Sequence, residues 1–299
     1  MFGKSLLLLT LTASILSLQA EDVLKYVDAR PGSLPILITV PHGGDLKPAN
    51  ILARRYGVTA KDSNTAELSV MISEELRKLY GGAPHLVICR LHRSKLDCNR
   101  ELNEAAQGDP VATATWKRFH EAAEGVEQQV TRSFGAGLTI DLHGHRHEEP
   151  RVELGYLISG SQLNTSDEAL DRDPKYLRLT SVKELDQRSP QSFSALIRGP
   201  QSLGALLEAQ GFRSIPSPGK PSPGKAVYFS GSYDVAAHGS RDGGSISAIQ
   251  VECPWNGVRD TSENQRRFAK ALATALGDYF KIHFQMTLVP DKSSQPARP

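Results

Sequence analysis

Four groups of residues in this chain have the types and placement to do chemistry. His42 follows the apolar run Leu34 to Val40, His143 follows Leu138 to Leu142, and Glu252 follows Ile246 to Val251. Each is a polar, metal-competent or proton-transferring group at the end of a strand-like segment. In open α/β sheets ligands bind beyond the carboxyl ends of strands, so three termini far apart in sequence can meet at one site. Asp45 stands three residues after His42, and a His-x-x-carboxylate followed at long range by His143 is a donor set for catalytic zinc. Three protein ligands leave a fourth position for water, whose pKa the metal lowers towards ~7. Glu252 is then placed as general base, or else is a buried structural carboxylate. The fourth group is Arg90-Leu91-His92-Arg93-Ser94-Lys95-Leu96-Asp97-Cys98-Asn99-Arg100-Glu101. Its guanidiniums and asparagine suit a substrate carboxylate and the oxyanion that develops in acyl transfer.

These residues need a scaffold, and the pattern between them supplies one. Short apolar runs alternate with longer helical periods, the signature of strands joined by crossover helices. Asp62-Ser63-Asn64-Thr65 reads as a helix start, with Leu68, Met71, Ile72, Leu76 and Leu79 on one face and Gly81-Gly82 as the stop. Leu86 to Leu91 reads as the next strand. Asp109-Pro110 opens a second helix, marked by Trp116, Phe119, Ala123, Val126, Val130 and Phe134 and closed by Gly135 and Gly137. Val152 to Ile158 is a further strand candidate, and Leu203 to Ala209 a helical one. The tandem Pro216-Ser217-Pro218-Gly219-Lys220 and Pro221-Ser222-Pro223-Gly224-Lys225 reads as a surface loop. Ser262 to Phe284 reads as a long final helix. No linker interrupts the alternation, so residues 21–290 are expected to form one α/β domain with helices on both faces of a mixed, largely parallel sheet.

Composition sets the outer bounds. The chain has 299 residues, 39% of them hydrophobic, with 35 Lys+Arg against 33 Asp+Glu and a formal net charge of +2. That rules out a disordered or collagenous chain and argues against nucleic acid as the main partner. Lys4 followed by an apolar stretch and by Ser17-Leu18-Gln19-Ala20 reads as a secretory signal peptide spanning residues 1–20. The segment is too short for a stable membrane anchor. A secreted or periplasmic location follows, in which Cys89, Cys98 and Cys253 can form at most one intramolecular pair. Residues 291–299 read as a disordered tail, and the oligomeric state is left open.

Taken in order, Pro41-His42-Gly43-Gly44, Asp62-x-x-Thr65, Arg93 with Asp97-x-Asn99-Arg100, Asp141-Leu142-His143, Gly231-Ser232-Tyr233 and Gln250-x-Glu252 resemble the motifs of the N-formylglutamate amidohydrolase family, relatives of the aspartoacylases and zinc carboxypeptidases. The resemblance spans about Leu34 to Pro254. It implies a phosphorylase/hydrolase-like three-layer α/β sandwich that holds one zinc ion and hydrolyses an amide beside a carboxylate. On that basis His42 and His143 resemble the imidazole ligands, with either Asp62 or Asp45 as the carboxylate ligand. Arg93 resembles the group that polarises the scissile carbonyl, and Asn99, Arg100 and Tyr233 the substrate-binding residues. Glu252 resembles the catalytic base. The chain departs from the family in having Gly-Ser-Tyr for the usual Gly-Gly-Tyr, and in His145 and His147, which alternation would set on the same face as His143. Export fits poorly with formylglutamate breakdown, so the expected substrate is an N-acyl amino acid or similar small carboxylate-bearing amide. The alternatives are a metallocarboxypeptidase or peptidoglycan-peptide hydrolase, and a non-catalytic carboxylate receptor.

Overall fold

Strict alternation along the central strands decides the architecture. In β2 (Ile36–Val40) Ile36, Ile38 and Val40 join one buried apolar cluster while Leu37 joins another, and in β3 (His85–Cys89) Leu86 and Ile88 part from Val87 and Cys89 in the same way. A strand buried on both faces must carry apolar residues at successive positions, and these do. The computed structural model describes residues 23–291.

Seven strands form one sheet in the order β1-β3-β2-β4-β7-β5-β6. The remaining members are β1 (Val27–Arg30), β4 (Gly137–His145), β5 (Val152–Gly155), β6 (Ser214–Ile215) and β7 (Ile246–Pro254). Strands β3, β2, β4 and β7 run parallel, while β1 and β5 pair antiparallel at the two flanks. Helix α1 (Thr65–Tyr80) packs with the long C-terminal helix, and both contribute to the larger apolar cluster on one face. On the other face α2 (Leu102–Ala106) and α3 (Pro110–Phe134) cover the smaller cluster. The mixed, largely parallel three-layer arrangement expected from the sequence is therefore present.

Local chemistry sets the helix ends. Asp109 accepts hydrogen bonds from the amides of Val111 and Ala112 at the start of α3, with Pro110 in the first turn, and Gly135 closes the helix at φ 78°. Asn64, at φ 69°, delays α1 to Thr65, so Asp62 and Ser63 stay in the loop before it. Helices α4 (Leu203–Ala209) and α5 (Tyr233–Ala237) follow the irregular region, and α6 (Ser262–Tyr279) ends in the wider turn Phe280–Phe284, where the rings of Phe280 and Phe284 stack.

Several boundaries differ from expectation. Strands β4 and β7 run on to His145 and Pro254 because they pair with each other in register over their whole length. The candidate strand Val152 to Ile158 stops at Gly155, and 160–198 carries short helices. Strands β1 and β6 add to the strands expected from the sequence. The tandem proline loop is only partly on the surface: Ser217 is fully buried and donates to Glu208 Oε1 at 2.7 Å. Cys89, Cys98 and Cys253 are buried free thiols. The expected signal peptide lies outside the described residues, as does the expected tail apart from Asp291.

Candidate metal centre and catalytic cavity

Register places the polar groups. On β4, Leu138, Ile140 and Leu142 face the larger apolar cluster, so Asp141 and His143 point the opposite way. On β7, Ile249, Val251 and Cys253 face that cluster, which turns Gln250 and Glu252 to the same side as Asp141 and His143. Parallel pairing then sets Asp141 beside Gln250 and His143 beside Glu252. Four buried polar residues thus share one face at the carboxyl ends of neighbouring strands. His42, two residues past the end of β2, and Asp62, in the loop before α1, complete the cluster.

Side chains of His42, Asp62 and His143 converge within 4.8 Å of one another, all buried. Both imidazoles aim Nδ1 at Asp62 Oδ2, at 3.4 Å from His42 and 3.1 Å from His143, and the two Nδ1 atoms are 3.2 Å apart. Their outer nitrogens are held by separate buried carboxylates. His42 Nε2 lies 2.6 Å from Asp97 Oδ1, and His143 Nε2 lies 2.7 Å from Asp141 Oδ2. A carboxylate on the outer nitrogen fixes the Nε2–H tautomer and leaves Nδ1 as a lone pair, the arrangement found behind metal-ligating histidines. Two such lone pairs and a carboxylate oxygen facing one point repel unless protons or a cation sit between them. The donor set therefore fits a divalent metal, with nitrogen and oxygen ligands of the kind zinc takes.

Electrostatics report the same demand. Burial opposes charge on Asp62, but hydrogen bonds from His143 and His42 outweigh it and hold its pKa far below the usual carboxylate range. Burial likewise opposes protonation of His143, yet the field and hydrogen bond of Asp141 raise its pKa well above that of a free imidazole. Asp97 is also held low, against burial, by His42 and Arg93. It is the hub behind the site: besides His42 it accepts from Arg93 Nε at 2.9 Å and from the Asn99 amide at 3.1 Å. Thr39 Oγ1 donates to Asp141 at 2.9 Å and secures the second carboxylate.

Glu252 differs from its neighbours. It is buried, Oε1 accepts from Gln250 Nε2 at 3.0 Å, and Oε2 has no hydrogen-bond partner. Burial pushes its pKa up to about 8. A carboxyl with a free oxygen and a pKa near neutrality is suited to proton transfer.

These groups line a cavity of about 610 Å³ whose walls also include Arg93, Asn99, Arg100, Arg146, Ser232, Phe229 and Arg259. Arg100 reaches the wall through Ser232 Oγ at 2.8 Å and is steadied by Glu104 at 3.2 Å. Asn99 has internal partners: its Oδ1 accepts the Asp234 amide at 2.8 Å, and its Nδ2 lies 3.2 Å from His143 Nε2. Two candidates are not brought into the cluster. Asp45 is exposed and ion-paired with Lys61, because Leu46 bridges to Leu91 and draws the loop away from His42. Tyr233 packs against Trp116 and His120 and lines a neighbouring depression, leaving Gly231 and Ser232 to face the cavity. His145 and His147 line the cavity and form a second potential metal-binding group with Glu153, although the His147 amide already donates to His145 Nδ1 at 3.1 Å. Asp97 and Asp141 lie within the Asp97-x-Asn99-Arg100 and Asp141-Leu142-His143 motifs, whose spacing alone gives neither a role, and Arg259 carries no sequence signal.

Solved structures that resemble this one include two that align over most of both chains. The crystal structure of N-formylglutamate amidohydrolase from Ralstonia eutropha JMP134 aligns over 87% of this chain and 99% of its own, with a TM-score of 0.50 and 13% identity. The chain shares that enzyme's fold. A gene product of Agrobacterium tumefaciens aligns over 86% of this chain and 95% of its own, with a TM-score of 0.51 and 13% identity. No family model and no curated protein matches the sequence. At this identity the likeness bears on the fold, and the chemistry rests on the cluster itself.

Proposed function

We propose that this protein is a zinc-dependent amide hydrolase acting on a small carboxylate-bearing amide such as an N-acyl amino acid. The observation that carries the reading is the convergence of His42 Nδ1, His143 Nδ1 and Asp62 Oδ2, each imidazole backed by its own buried aspartate, beside a carboxyl with a free oxygen. One metal ion held by His42, Asp62 and His143 would supply the Lewis acidity that acidifies a water and polarises a carbonyl. Glu252 takes the proton from the attacking water and returns it to the leaving amine, one carboxyl serving as base and then acid. Arg93, its Nε held by Asp97 and its Nη1 3.7 Å from Asp62 Oδ1, lines the cavity beside the cluster and offers a guanidinium to the carbonyl oxygen as negative charge develops there. Arg100 offers the substrate carboxylate a guanidinium at the cavity wall. Asn99 serves by fixing the turn between Asp97 and Arg100 through the Asp234 amide. Residues 1–20 as an export signal would place this chemistry outside the cytoplasm.

Glu252→Gln keeps the shape and removes the base. It is expected to retain zinc and to lose turnover of N-acyl amino acids by at least a hundredfold; equal turnover by the variant contradicts this mechanism. The size of the cavity also favours a second substrate class, a peptide end, since pockets of this volume bury ligands larger than one acyl amino acid. Release of a C-terminal residue from short peptides, set against release of an acyl group, separates the two.

A further inference from the structure

Arg259 is 2% exposed and, among the described residues, no carboxylate lies within ion-pair distance of it. A buried guanidinium is costly unless its donors are satisfied. Here they are spent on three main-chain carbonyls. Nε donates to Cys253 O at 3.0 Å, Nη2 to His145 O at 3.0 Å, and Nη1 to Ser63 O. Each carbonyl belongs to a segment that carries a site residue: Cys253 follows Glu252, His145 is two residues past His143, and Ser63 follows Asp62. The three segments come from different places in the fold, the ends of β7 and β4 and the loop before α1.

The fit is tight. A methyl group added at Gly144 would lie 2.1 Å from Arg259 Cζ, so the guanidinium lies flat against the strand between His143 and His145. The main chain of Arg259 extends the same function. Its carbonyl accepts from Asn64 Nδ2 at 2.7 Å and from Gln265 Nε2 at 3.1 Å, tying the starts of α1 and α6 to the same point. A guanidinium presents its five N–H donors in one rigid planar fork, whereas an ammonium has three donors splayed from a single nitrogen on a flexible stem, so the two do not meet the same three acceptors alike.

We propose that Arg259 is a positioning residue that sets the spacing of Asp62, His143 and Glu252 by holding the backbone beside each of them with one planar group. The inference rests on the metal-centre reading above. Its test is zinc affinity, measured by competition with a chelating dye on the full chain, alongside circular dichroism and the melting temperature of the metal-free protein. Arg259→Lys keeps the charge and loses the fork. It should fold as the wild type does and bind zinc about 10- to 100-fold more weakly, the range seen when outer partners of metal ligands are removed. Arg259→Ala should be weaker still, with part of the affinity restored by added methylguanidinium. Wild-type zinc affinity in Arg259→Lys overturns the inference, and so does unfolding of both variants, which would make Arg259 a residue of the fold and not of the site. A wild-type chain that takes up no zinc would instead overturn the metal-centre reading itself.

Discussion

At the scale of single residues, the buried carboxylates behind the imidazoles deserve as much weight as the ligands. Asp97 orients His42 and at the same time neutralises Arg93 and anchors the Asn99 amide, so it links the proposed ligand to the proposed carbonyl-binding group. Asp97→Asn keeps the shape but removes the charge that fixes the His42 tautomer. Zinc affinity should fall about 10- to 100-fold by isothermal titration, with a smaller change in melting temperature; unchanged affinity would show that His42 needs no such support. His143 was readable as a candidate from its place at a strand end. The choice between Asp45 and Asp62 was not, because spacing describes the chain and not its path. Gly44 packs so closely on the Arg90 backbone that an added Cβ would lie 2.3 Å away, and this turns Asp45 outward while Asp62 returns to the site.

Elements position these residues through caps and register. Asp109 caps α3 and also accepts the Leu52 amide at 2.9 Å, joining the helix to the loop beyond His42. Asp109→Ala leaves all three amides without an acceptor and should cost about 1 to 2 kcal/mol in urea unfolding; a loss under about 0.3 kcal/mol would mean that water replaces the cap. The caps and the central strands were legible because their signals are local: a proline after an aspartate, glycines after an apolar face, apolar runs cut off by histidine or glutamate. Strand β6 has two residues and β1 carries charged side chains, so neither has an apolar run to show. Arg259 acts only through carbonyls, which every residue possesses, and no sequence pattern could announce it.

For the whole molecule, the response to pH is a sum of opposed groups. Burial pushes His85 down to about 4 and His120 down to about 3, so both stay neutral in the fold near pH 6 while they charge when unfolded. Their contribution is complete above the unfolded value of about 6.5 and is lost as pH falls towards the folded one. Burial raises Asp186 to about 6 and Glu252 to about 8, and these groups act in the reverse direction, favouring the fold as pH falls. Comparing His85→Asn with the wild type isolates one contribution: between pH 7.5 and 5 the wild type should lose about 2 kcal/mol that the variant keeps. Equal losses would mean that His85 charges inside the fold. The central claim concerns the metal. Zinc counted in the purified full-length chain and in its single variants tests it most directly. The account predicts about one ion per chain in the wild type and in Asp45→Ala, and little or none in His42→Ala, Asp62→Ala or His143→Ala. A wild type without metal, or an Asp62→Ala variant that keeps it, would contradict that claim.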